Sequence, residues 1–135
     1  MDVSTLAVAD TAIIHLKDAA GELLYDGGEP VAIEIYGPGS KAFGVVEARQ
    51  SARAIKRYQE NDQQLSVPPY EERLKEAAED LAAITVSFRR LSCGELTGTA
   101  LFEAVYANPK LGYITRQVQK ALADWGKFKA GSAPA

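Results

Sequence analysis

The sequence predicts an α+β fold: a small N-terminal antiparallel β-meander packed with a helix, followed by a mostly helical C-terminal part. Two patterns carry this expectation. Between residues 11 and 36, apolar and polar residues alternate in short runs split by Asp- and Gly-containing turns, the period of half-buried strands. From residue 40 onward, apolar residues recur at three- and four-residue intervals, the period of helices with one buried stripe. A chain of 135 residues with 47% hydrophobic content is sized for one compact domain, or for two small lobes on a shared core. It is too apolar to remain wholly disordered.

The first strand is expected over Thr11 to Lys17, with Ile13, His15 and Lys17 on one face and Ala12, Ile14 and Leu16 on the other. His15 reads as a surface residue. Asp18 to Gly21 is a turn signal, Glu22 to Tyr25 the second strand, and Asp26-Gly27-Gly28 another turn with left-handed backbone options. Val31 to Tyr36 alternates again and completes the meander.

Gly37-Pro38-Gly39 ends the last strand, and Ser40 stands where its hydroxyl can accept from the free amides of a first helical turn. A helix of roughly 16 to 20 residues follows, and its stripe Phe43, Val46, Gln50, Ile55 and Tyr58 is expected to cover the sheet. Residues 1–58 thus form the meander with its covering helix. Residues 59–69, QENDQQLSVPP, are amide-rich and close on two prolines, which suits a flexible linker or loop.

Residues 70–128 read as a helical lobe. Leu74, Ala77, Ala78, Leu81 and Ile84 recur at helical spacing, and Glu71 and Glu72 suit the positive pole of a first turn. Ile84, Val86 and Phe88 also alternate as a short strand would; the long breaker-free run before them favours helix. Thr97 or Thr99 caps a short helix that buries Leu101, Phe102, Val105 and Tyr106, and Asn108-Pro109 stops it. The final helix is expected from about Lys110 to Trp125, with Leu111, Ile114, Val118, Leu122 and Trp125 facing inward. Residues 129–135 read as a disordered tail.

Chemistry is sparse. The single cysteine, Cys93, excludes an intrachain disulfide, and the single histidine, His15, has no neighbours at metal-ligand spacing. The glycines around Pro38 lack the remainder of a nucleotide-binding fingerprint. No catalytic residue, cofactor site or metal site is assigned, and the expectation is a protein that is not an enzyme. A net charge of -3 gives no reason to seek nucleic acid. The apolar runs are too short to span a membrane, and the opening MDVSTLAVADT is acidic where a secretory leader would be basic, so an intracellular setting is expected.

Two surfaces fit contact with another protein. Arg49, Arg53, Lys56 and Arg57 line one side of the first helix. Tyr113, Arg116, Gln117 and Lys120 lie on the outward face of the last, and tyrosine and arginine are frequent interface anchors. The carboxylates Glu71, Glu72, Glu76, Glu79 and Asp80 read as a solvated helix face.

TAIIHLKDAAGELLYDGGEPVAIEIYGPGSKAF and LFEAVYANPKLGYITRQVQKALADWGKF carry a resemblance. They resemble the tail assembly chaperones of long-tailed, siphovirus-like bacteriophages and prophages. The matching elements are Tyr36-Gly37-Pro38-Gly39-Ser40 before a helix, the aromatic-rich stretch Phe102 to Tyr106, the Asn108-Pro109 break, and Leu111-Gly112-Tyr113-Ile114 with Gln117-Val118. The two regions cover roughly half the chain. The resemblance implies a non-enzymatic chaperone that binds the tape-measure protein and recruits tail-tube subunits in the host bacterial cytoplasm. Self-association is a further expectation. The alternative is a structural virion component such as a tail-completion, terminator or minor tail protein.

Overall fold

A computed structural model describes residues 1–65 and 67–129. An N-terminal antiparallel sheet packs with helices, and a mostly helical C-terminal region follows. The strands are β1 (Thr11–His15), β2 (Tyr25–Asp26), β3 (Glu29–Pro30), β4 (Ala32–Tyr36) and β5 (Thr85–Arg89). The α-helices are α1 (Lys41–Glu60), α2 (Tyr70–Ala83), α3 (Gly98–Tyr106) and α4 (Gly112–Leu122). Short 3-10 turns occupy Val3–Leu6, Pro109–Leu111 and Trp125–Phe128.

The sheet has the order β1-β4-β5, all antiparallel, which corrects the expected meander. β1 pairs directly with β4, from Thr11 opposite Tyr36 to His15 opposite Ala32. The expected second strand touches this ladder only at its end. There Leu16 N–H donates to Val31 O, Val31 N–H to Leu24 O, and Leu24 N–H to Leu16 O, at 2.9 to 3.0 Å. Gly27 and Gly28, at φ 60 and 82, then turn the chain through the small β2-β3 hairpin. His15 is correspondingly buried at 7% exposure, against the surface expectation. Its Nε2 donates to the Leu24 carbonyl at 2.8 Å, and the Tyr25 ring meets it edge-on.

The third strand is the segment expected to continue the helix beyond Ile84. Helix α2 stops at Ala83 because Thr85 turns back on it: its hydroxyl donates to Leu81 O at 2.7 Å and hydrogen-bonds the Tyr106 hydroxyl at 2.8 Å. Tyr36 N–H donates to Ile84 O, and β5 then pairs with β4 with an irregularity at Glu34/Ile35. Pairing with a central strand whose Ile33 and Ile35 are fully buried outweighs the local helical preference.

Helix α1 begins as expected, with Ser40 Oγ accepting from Phe43 N–H at 3.2 Å and donating to Gly37 O at 2.7 Å. It does not cover the sheet. Of its 20 residues only Val46 is buried, while Ile55 and Tyr58 are 58% and 44% exposed. The core is closed instead by Ala78, Leu81 and Ala82 of α2, Leu101, Val105 and Tyr106 of α3, and Ile114, Val118 and Ala121 of α4. Residues from both expected lobes therefore share one hydrophobic core.

At the C-terminal end Trp125, expected to face inward, is 56% exposed, and Phe128 is fully buried in its stead. Phe128 lies against Gly37, where an added Cβ would come within 2.7 Å of ring carbon Cε1. Ala9 N–H donates to Phe128 O at 2.7 Å and Lys129 bridges Val8, which ties the N-terminal segment to this end. Of the expected tail, 130–135 lies outside the described residues.

Phe128→Ala should lower stability by about 3–5 kcal/mol, the usual range for deleting a fully buried ring. Gly37→Ala should destabilise by the same contact approached from the other side. Urea unfolding monitored by circular dichroism checks both, and a wild-type midpoint for either variant refutes the assignment.

Candidate partner-binding cleft

Helices α1 and α2 run antiparallel and meet through side-chain ends. Arg49, Arg53 and Arg57 recur every four residues on one, and Glu72, Glu76 and Asp80 do so on the other, so the two stripes interlock. Asp80, at the root of the ladder, is buried. Its Oδ1 accepts from Arg49 Nη2 at 2.7 Å and Arg53 Nη2 at 3.2 Å, and its Oδ2 accepts from Arg53 Nη1 and Gln50 Nε2, both at 3.1 Å. Arg57 pairs with Glu76, and with Glu72 at 3.3 Å. Burial pushes the Asp80 carboxyl up, yet the hydrogen bonds from Arg53, Arg49 and Gln50 together outweigh it and hold it below the ordinary aspartate value. The same hydrogen bond raises the Arg53 guanidinium, so both partners stay charged.

Beneath the ladder lies an open cleft of about 620 Å³ between α1, α2 and the end of α4. Phe43, Val46, Ala77, Leu81, Ile84 and Leu122 give it an apolar lining, and Gln50, Arg53, Arg57, Glu76 and Asp80 supply a rim of both signs. Neither His15 nor Cys93 lines it. Cys93 is exposed and unpaired, and no group of three or more His, Cys, Asp or Glu side chains converges among the described residues.

The residues expected to contact a partner divide three ways. Arg49, Arg53 and Arg57 are neutralised by α2, so the positive patch of the sequence is one half of an internal ladder; Arg53 and Arg57 also rim the cleft. Gln117 is committed inward: its Oε1 accepts from Lys17 N–H at 2.7 Å and its Nε2 donates to Lys17 O at 2.8 Å, fastening α4 to the end of the sheet. Tyr113 packs half-buried on the core, while Arg116 and Lys120 are exposed. Arg116 stands one turn before Gln119, which lines the cleft. The lining residues Phe43, Ala77 and Leu122 were read from sequence as members of buried helical stripes, not as a binding surface. The available signal was the matched four-residue spacing of opposite charges on two helices joined by a short connection.

Comparison with protein-family models, with curated proteins and with solved structures finds no match to this chain. No helix among the described residues is long and apolar enough to cross a membrane.

Asp80→Asn should cost about 1–3 kcal/mol at neutral pH, less than a fully buried ion pair because Arg49 and Arg53 remain partly solvated. The folded-state value of Asp80 lies below its unfolded one, so its contribution is complete above the ordinary aspartate range and fades as pH falls through the folded value. Urea unfolding of wild type and Asp80→Asn should thus differ most near neutrality and converge in acid. A gap that stays constant with pH contradicts this.

Proposed function

We propose that this protein is a non-enzymatic tail assembly chaperone of a long-tailed bacteriophage or prophage, acting in the host cytoplasm. It holds a helical segment of the tape-measure protein in the cleft and recruits tail-tube subunits to it. The observation that supports this reading best is the cleft itself, with its apolar lining and its rim of paired charges. Such a groove suits the apolar stripe of an amphipathic helix, with polar flanks meeting the rim. The resemblance of residues 11–43 and 101–128 to tail assembly chaperones supplies the identity of that helix.

A tape-measure chain that awaits its tube exposes apolar stripes over a great length. Covering them copy by copy, with modest affinity at each site, keeps the chain soluble and leaves the cover removable. Apolar burial contributes roughly 25 cal/mol per Å², so a few side chains seated on Phe43, Leu81 and Leu122 suffice for reversible binding. Arg116 and Lys120, exposed on the helix that brings Gln119 and Leu122 to the cleft, offer flanking contacts to the same segment. No bond is made or broken in this role.

Co-expression of the tagged protein with candidate tape-measure and tail-tube proteins should recover both. Ala77→Glu, which sets a charge in the apolar lining on a good helix former, should reduce tape-measure recovery at least about tenfold. Recovery of neither protein overturns the reading. Retention of this chain in purified particles would replace it with that of a structural virion component.

A further inference from the structure

We infer that α1 carries a second, independent interaction surface, and that its occupant is another copy of this chain bound antiparallel across the helix. With about 100° between successive residues, the side of α1 turned away from the cleft presents Val45, Ala48, Ser51, Ala52 and Ile55, with Tyr58 at its edge. All are exposed, Val45 at 59% and Ile55 at 58%. Between Gly44 and Gln59 this side is bordered by Lys56, at the edge beside Val45 and opposite the edge that carries Tyr58. A helix face left to water normally carries charge, and every arginine of α1 is on or beside the opposite side, in the ladder.

Gly44 sharpens the point. It lies inside the helix, yet a Cβ there would meet nothing within 4 Å, so no contact within the chain calls for glycine. Glycine in an exposed helix interior is nonetheless unfavourable relative to alanine.

Size and charge both select a second copy in one orientation. An antiparallel pair centred between Ser51 and Ala52 sets Ile55 of each copy over Ala48 of the other, bulk over hollow. Ser51 and Ala52 then meet at the crossing, where small side chains let the backbones approach. Val45 falls level with Tyr58 of the other copy. Lys41, in line with the middle of this face, lies at its N-terminal end. It comes opposite the C-terminal end of the other helix, the negative pole of its dipole, with exposed Asp62 just beyond. A parallel pair would set Lys41 against Lys41. One helix face is smaller than the roughly 800 Å² per partner of a standard stable interface, so a weak, reversible dimer is expected.

This surface does not depend on what fills the cleft, and its test contains no other protein. Sedimentation equilibrium of the full chain from the micromolar to the millimolar range should show the mass rising from one chain toward two. Ala48→Glu, on an exposed helical site, should weaken association at least tenfold. Lys41→Glu, which suits a helix N-terminus and so preserves folding, should weaken it several-fold. Asp62→Lys in the same chain should restore it, because the two positions face each other only between antiparallel copies. A single-chain mass at every concentration, or an Ala48→Glu variant that dimerises like wild type, overturns the inference. Failure of the charge swap to restore binding overturns the antiparallel arrangement.

Discussion

Asp80 accepts hydrogen bonds from Arg49, Gln50 and Arg53 at 2.7 to 3.2 Å, and the placement of α1 rests on that carboxylate. Val46 is the only buried residue of α1, worth about 1.5–3 kcal/mol when fully sequestered. One such residue anchors the root of a helix but cannot aim one of about 30 Å in length. The aim comes from three arginines matched to three carboxylates. The rungs are unequal: Asp80 is largely withdrawn from water, while Glu72 at the far end is 53% exposed and its pairing correspondingly weak. Helix α1 is therefore held firmly at its root and loosely at its tip.

That gradient explains why a cleft exists. Aliphatic side chains draw packed helices to 8–10 Å and leave no space between them. Here α1 and α2 meet through arginine–carboxylate pairs, and apolar side chains beneath those pairs line an open cleft. Phe43, Ala77 and Leu122 are only half-buried as a result. A charge ladder also tolerates small changes of separation better than interdigitated methyl groups do, because its partners are long and partly solvated. The same contact that positions α1 thus leaves the cleft able to widen at its outer end.

The fold class was legible because local signals agreed with one another. Ser40 before a helical period, Asn108-Pro109 between two helices, and strand alternation around Val31 to Tyr36 each led to the element observed. What failed depended on contacts distant in the chain. Ile84 to Phe88 satisfied both helix and strand, and the choice was made by β4 some fifty residues earlier. Trp125 fitted the inward stripe of the last helix, and the decision lay with Gly37, whose missing side chain makes room for the Phe128 ring. His15 looked exposed on a two-faced strand until the Leu24 carbonyl and the Tyr25 ring closed over it. For the cleft, the arginine stripe was visible and its acidic counterpart was read as solvated. The solvated reading fails at Asp80, which is buried beneath Arg49 and Arg53; neither helix alone states that it faces the other.

Seen this way, α1 is a helix with two working sides and almost no core. Its charged side is spent on α2 and shapes the cleft; its mostly uncharged side, bordered by Lys56, faces water from Gly44 to Gln59. Pairing two copies along that outer side would stiffen the tips, where the ladder is weakest, and so narrow the range of widths each cleft samples. The clefts would lie on opposite flanks of the paired helices, separated by the two helix diameters between them. Such a dimer could engage two apolar stripes at once. Linkage then requires reciprocity: whatever tightens the cleft by pairing α1 must also favour pairing when the cleft is filled. Weak association and weak groove binding would reinforce one another on a long, repetitive partner and lapse together once that partner is covered by something else.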